Sequence, residues 1–172
     1  MSVRVFFLAA ILTMAPPVVA EQKVGVEVGK RPPEYLGRST QGDKLSVSDS
    51  AGKILIVSFW ATWCPPCLKE LPVLNAIQKQ AGADRVRVIA INLEEPRRQF
   101  RKAMKAFESF EITFSHDKNG RIARDFRVKS VPNLFIVDVD GHIAFRHVGY
   151  SDADLAGIVA DINSLLLKNQ LH

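Results

Sequence analysis

Ile54-Leu-Ile-Val-Ser-Phe-Trp-Ala-Thr-Trp-Cys-Pro-Pro-Cys67 decides the fold. Its first half, Ile54 to Trp60, has the length and continuous apolar character of a buried strand. At the cysteines it gives way to a helical pattern that runs to about Gln80. The chain has only two cysteines, Cys64 and Cys67, and both lie at this strand-to-helix junction. A helix N-terminus presents unpaired backbone N–H groups and the positive end of the dipole, and both favour a thiolate. Lowering a thiol pKa from about 8.5 to about 7 amounts to roughly 2 kcal/mol, the most that a partly buried helix terminus supplies. A redox-active dithiol is therefore the leading reading of the pair.

Pro65 and Pro66 fit this placement, because proline in a first helical turn loses only N–H groups that have no intrahelical partner. Each also removes a donor to the thiolate, so the couple is expected to be reducing rather than strongly oxidising. At about 100° per residue, Glu70 falls roughly 60° from Cys67 and within the apolar arc of Val73, Leu74 and Ile77. A carboxyl beside a thiol on such a face has its pKa raised and can pass protons to or from Cys67. The plainer reading is a rim glutamate without a role.

Two bland readings of the cysteines compete. A four-residue ring gives only about 2 kcal/mol of loop-entropy stabilisation against about 4.7 for a hundred-residue loop, which makes C-x-x-C a poor brace. Structural zinc usually takes four ligands, and His116, His142, His147 and His172 show no paired spacing.

The N-terminus has the form of a secretory signal peptide over residues 1–20. Arg4 supplies the positive end, Val5 to Met14 a short apolar stretch, and Val18 and Ala20 a small-residue cleavage pattern. An uncleaved membrane anchor is the alternative. A single domain, residues 21–172, is expected after cleavage. Export to the periplasm would oxidise the dithiol unless a donor keeps it reduced. The net charge of +5 reads as general solubility rather than a nucleic-acid footprint. Arg97, Arg98, Arg101, Lys102 and Lys105 form the densest basic run, with Phe100, Met104 and Phe107 at helical spacing among them. That is a solvated face or a docking face for an acidic partner.

Tyr35-Leu36 and Leu45 to Val47 around Gln41-Gly42-Asp43 predict a small hairpin, and Val86 to Leu93 a second buried strand. With the helix between Trp60 and Val86 this is a βαβ unit, its chemistry at the carboxyl end of the strand. A helix is expected from about Pro96 to Phe107, a short strand over Ile112 to Ser115 and a short helix over Arg121 to Phe126. Leu134 to Val139 and Ile143 to Val148 flank Asp140-Gly141, a dipeptide favoured in two-residue type I′ turns. Ser151 and Asp154 form a capping box ahead of Leu155, Ile158, Val159, Ile162 and Leu166, which mark a terminal amphipathic helix. Val131-Pro132 precedes a strand, and the low frequency of cis X-Pro bonds predicts trans there. Trp63 is placed to shape an apolar contact surface, and Trp60 to be core.

Taken together, Val57 to Cys67, Glu70, Pro72 and Ser130-Val-Pro-Asn-Leu-Phe-Ile136 resemble the thioredoxin-like superfamily, in its exported TlpA/ResA-like branch, over about residues 30 to 167. Leu93 to Arg127 resembles the helix-and-strand insertion of that branch. The resemblance implies an α/β thioredoxin-like fold, with a central mixed sheet flanked by helices and an N-terminal β-hairpin. It implies Cys64 as attacking thiol, Cys67 as resolving thiol, a cis Pro132 beside them, and Val131 pairing with the substrate segment. Glu70 matches the branch's active-site glutamate. Thioredoxin's buried acid on the strand is replaced here by Ser58, which puts that proton route in doubt.

Such members are monomeric thiol:disulfide oxidoreductases without cofactor or metal, kept reduced by a membrane donor of the DsbD/CcdA type. They reduce cysteines in apocytochromes c, copper-site assembly proteins or other exported targets, and nothing in the sequence selects among these. Net disulfide oxidation and Cu(I) carriage on the two thiolates are the alternatives, the latter with only Met104, on a core-like helix face, as a further soft donor after residue 20. Ala61 stands where peroxiredoxin-like sites carry threonine, which disfavours a peroxidase.

Overall fold

In the computed structural model, which describes residues 26–170, the chain begins with β1 (Tyr35–Arg38), β2 (Lys44–Ser46) and a 3₁₀ turn (Ser48–Ser50). Then come β3 (Ile54–Trp60), α1 (Pro65–Ala81), β4 (Val86–Leu93), α2 (Arg97–Ala106) and β5 (Thr113–Asp117). It ends with α3 (Arg121–Asp125), β6 (Asn133–Val137), β7 (Ile143–Val148) and α4 (Asp152–Gln170). The signal-peptide reading falls on residues 1–20, outside the described residues. Among the described residues no helix is long and apolar enough to cross a membrane.

Five strands form one mixed sheet in the order β5-β4-β3-β6-β7, and β1 and β2 pair separately as the expected N-terminal hairpin. Strands β3, β4 and β5 are parallel, while β6 and β7 run antiparallel to their neighbours. This is the thioredoxin-like arrangement that the sequence predicts. The helix-and-strand insertion adds β5 outside β4. Beyond it, Gly37 brings the hairpin against that edge: a Cβ there would stand 2.0 Å from Ser115 Oγ, and its φ of +98 suits only glycine.

Every residue of β3 is buried, as a strand covered on both faces requires. Alternation sends Ile54, Ile56 and Trp60 to the cluster under α1 and α4, with Leu71, Leu74, Ile158 and Ile162. Leu55, Val57 and Phe59 go to the other face, with Ile89, Phe126, Phe135 and Leu36. Ser58 shares its parity with Ile56 and Trp60 and so lies beneath α1. Helix α2 is anchored through Phe107, whose ring lies 5.6 Å from Trp60 and 5.5 Å from Phe114. Each such aromatic pair contributes about 1 kcal/mol beyond its buried area.

Two local expectations are corrected. The turn at Asp140-Gly141 is not type I′, because that turn needs two central residues at positive φ and only Gly141, at φ 82, provides one. Asp138 N–H instead donates to the His142 carbonyl at 2.8 Å and Gly141 N–H to the Asp138 carbonyl at 3.0 Å, which makes a three-residue loop. The Asp138 carboxylate fixes it, accepting from the N–H groups of Asp140 at 3.1 Å and His142 at 2.8 Å. The Val131-Pro132 bond is cis, against the base-rate expectation and in line with the family resemblance. The capping box is present, with Ser151 N–H donating to Asp154 Oδ2 at 2.9 Å.

Candidate active site

Cys64 is the N-cap of α1, and Pro65 and Pro66 occupy the first two helical positions. Neither proline has an N–H, so the first available donor is Cys67 N–H, which points at Cys64 Sγ at 3.2 Å. Leu68 N–H closes the first turn on the Cys64 carbonyl at 3.2 Å. The sequence therefore leaves one backbone donor for a negative charge on Cys64, where a proline-free turn would leave more. The two sulfurs are joined in a disulfide, with the Cα atoms 5.3 Å apart.

Cys64 keeps 4% of its surface exposed and Cys67 none. Trp63, immediately before Cys64, is 66% exposed, as a residue placed to shape an apolar contact surface should be. The ordering is the one that exchange requires: an incoming sulfur reaches Cys64 first.

Glu70 is 1% exposed, on the face of α1 that looks down on β3. Ser58 Oγ donates to its Oε1 at 2.7 Å, while Oε2 makes no hydrogen bond to protein. Desolvation by burial pushes the Glu70 carboxyl up to about 7, against the downward pull of the Ser58 hydroxyl. A carboxyl with that pKa changes protonation near neutral pH, as a group exchanging protons with a thiol must.

On the opposite side, Asn133 of β6 pairs with Phe59 of β3, so the cis Val131-Pro132 peptide enters the sheet at the end where β3 releases the cysteine loop. Val131 is half-buried and packs on the cluster that includes Cys64 and Cys67. Among the described residues no group of three or more His, Cys, Asp or Glu is arranged to hold a metal ion.

Sequence reading missed a second buried acid. Glu95, 3% exposed, accepts from Thr62 N–H at 2.8 Å, from the Thr62 hydroxyl and from the Asn92 amide. It ties the loop before Trp63-Cys64 to the end of β4. The available signal was the βαβ unit: parallel pairing sets Trp60 opposite Asn92, so residues just after Asn92 lie beside the cysteine loop. Ser58, which in sequence only marks the absence of an acid, is the hydrogen-bond partner of Glu70.

A thioredoxin-like fold carrying a Cys64–Cys67 pair at a helix N-terminus defines the class of thiol:disulfide oxidoreductases. The chain belongs to the AhpC/TSA family, whose model matches residues 28–146. It is 33% identical over 132 residues to the thioredoxin-like protein YneN of Bacillus subtilis, covering 76% of each chain. It is 30% identical over 118 residues to the thiol-disulfide oxidoreductase ResA of Bacillus thuringiensis subsp. konkukian, covering 69% of this chain and 68% of that one. A structure from Chlorobium tepidum, described as a thiol:disulfide interchange protein DsbE, superposes with a TM-score of 0.73 at 29% identity. The match covers 83% of this chain and 99% of that one. The protein is a thiol:disulfide oxidoreductase of the ResA/DsbE type.

Proposed function

We propose that this single-domain protein, residues 21–172, is exported by its N-terminal signal and reduces disulfides of periplasmic client proteins. The observation that carries the reading is the Cys64–Cys67 pair at the α1 N-terminus, Cys64 at the N-cap and Cys67 wholly buried, with the buried Glu70 three residues further along the same helix.

In the proposed cycle the Cys64 thiolate attacks one sulfur of the client disulfide, and the other client sulfur leaves as a thiolate. Cys67 loses its proton and attacks Cys64 Sγ, which breaks the mixed disulfide and releases the second client thiolate. The client gains two electrons and, once its thiolates are protonated, two protons. The Cys64–Cys67 pair is oxidised. Glu70 takes or returns the Cys67 proton, Val131 pairs with the client backbone beside Pro132, and Trp63 supplies an apolar contact. A membrane dithiol donor of the DsbD/CcdA type restores the dithiol, and apocytochrome c or copper-site assembly proteins are the proposed clients. The working form is a monomer.

Trapping with Cys67→Ser in the native compartment tests this. Cys64 is expected to stay disulfide-linked to its clients, with the adducts visible on non-reducing gels and lost in the Cys64→Ser/Cys67→Ser double variant. Failure to trap, together with failure to reduce insulin when an artificial reductant is supplied, would remove the reading.

A further inference from the structure

Beside the cysteine loop, an open groove of about 540 Å³ runs between α1 and α2. Its apolar lining is Leu68, Ala103, Ala106 and Phe107, and Gln99 and Lys102 supply polar and charged lining. Thr62, two residues before Cys64, closes the end nearest the disulfide. Leu68 is 39% exposed and Trp63 66%, so two of the exposed large apolar side chains lie at this end of the molecule.

The charge along the groove has one sign. Helix α2 reads Arg97-Arg-Gln-Phe-Arg-Lys-Ala-Met-Lys-Ala106 and contains five cations and no carboxylate. At about 100° per residue, Arg98 and Lys105 lie roughly 40° and 60° from Lys102 on its solvent side, and Ala106 and Gln99 lie at similar angles on its groove side. Lys102 therefore sits on the border between an apolar trough and a basic ridge. No carboxylate is among the residues that line the groove, and Glu95, which binds Thr62, is buried and holds three donors of its own.

We propose that this groove docks the client polypeptide and selects segments with an apolar side chain next to the target cysteine and an Asp or Glu within the following few residues. The inference rests on the disulfide-reductase reading above and adds a substrate class to it. Apolar burial in the trough holds the segment, and the basic ridge discriminates by charge, which raises the encounter rate for acidic clients and disfavours basic ones.

The test uses two disulfide-linked peptides that are identical except for Glu or Lys at the position following the apolar residue. Each rate of reduction by the reduced protein is divided by the rate with neutral hydroxyethyl disulfide. At low ionic strength the acidic peptide is expected to react about three- to tenfold faster, the range for one or two exposed ion pairs, and the preference should shrink in high salt. The Arg98→Glu/Lys102→Glu variant should invert it. Ala106→Trp, which fills the trough from an exposed position, should slow both peptides together. Equal rates for the two peptides, or a preference that survives charge reversal, would overturn the inference. A dimer in sedimentation that charge reversal dissolves would assign the groove to a second copy and overturn it as well. Wild-type protein that leaves hydroxyethyl disulfide unreduced would instead refute the underlying redox reading.

Discussion

Ser58 Oγ donates to Glu70 Oε1 at 2.7 Å, joining β3 to α1 across twelve residues of sequence. A buried carboxyl with one oxygen satisfied and one bare is held by two opposing effects. Burial disfavours its charge more than the hydroxyl favours it, and the carboxyl is pushed from 4.5 up to about 7.

That shift fixes a pH dependence of stability. Between 4.5 and about 7 the folded state holds a proton that the unfolded chain has lost, so stability falls as pH rises through this window. The contribution is fully present below pH 4.5 and is gone above about 7, where the curve flattens. The span is worth about 3 kcal/mol. Glu70→Gln has no charge to bury and lacks this fall. Urea unfolding of the oxidised wild type and variant from pH 4 to 8 should give curves that separate in the wild type's disfavour as pH rises. Parallel curves would contradict the assignment.

Ser58→Ala removes the one effect that lowers the Glu70 carboxyl. With Glu70 acting in proton exchange with Cys67, the reaction rate carries a limb near pH 7, and this variant is expected to move that limb to higher pH. At pH 8, where the carboxyl is charged, losing the hydroxyl costs about 1.5–3 kcal/mol of stability. Stopped-flow reaction of reduced protein with a neutral disulfide across pH 5 to 9 reads the first effect. A limb that stays in place in Ser58→Ala and in Glu70→Gln would separate Glu70 from the exchange step.

Period and punctuation made most of the sheet readable in advance. Val86–Leu93 emerges with the bounds that its apolar run predicts, and the capping box at Ser151 starts α4 as expected. Glu70 was placed by helical angle alone, because rotation about an axis is a local property. What escaped were properties of pairs distant in sequence. The partnership of Ser58 with Glu70, and of Glu95 with Thr62, depends on which strand lies beside which and in what register. The loop at residues 139–141 escaped because the Asp138 side chain outcompetes the dipeptide preference of Asp140-Gly141.

Pro66 occupies the second helical position, where an N–H would otherwise be available to an N-cap sulfur alongside that of Cys67. Pro66→Ala adds this donor and should stabilise the thiolate of Cys64. Its pKa is expected to drop by a few tenths to about one pH unit, and the couple to become more oxidising by up to about 30 mV. Thiolate absorbance against pH and equilibration with glutathione measure the two quantities. An unchanged or raised pKa would show that the prolines do not set the potential by withholding donors.

Glu95 holds the loop that presents Trp63 and Cys64, and its loss strands the half-buried Thr62 N–H and hydroxyl and the buried Asn92 amide. An unsatisfied buried donor costs about 1–3 kcal/mol and a half-buried one less, so Glu95→Ala is expected to destabilise by about 2–3 kcal/mol. Glu95→Gln keeps one acceptor oxygen and should cost less. Because the tether reaches Thr62 rather than a sulfur, the damage should appear first as motion of the loop, and a global stability measurement alone would not separate that from a core defect. Hydrogen exchange at the Thr62 amide resolves the two. It should quicken in Glu95→Gln under conditions where the amides of β3 stay protected, and with it the pKa of Cys64 should shift. Thr62 protection equal to that of the wild type would mean that Glu95 supports the end of β4 and does not position the cysteine loop.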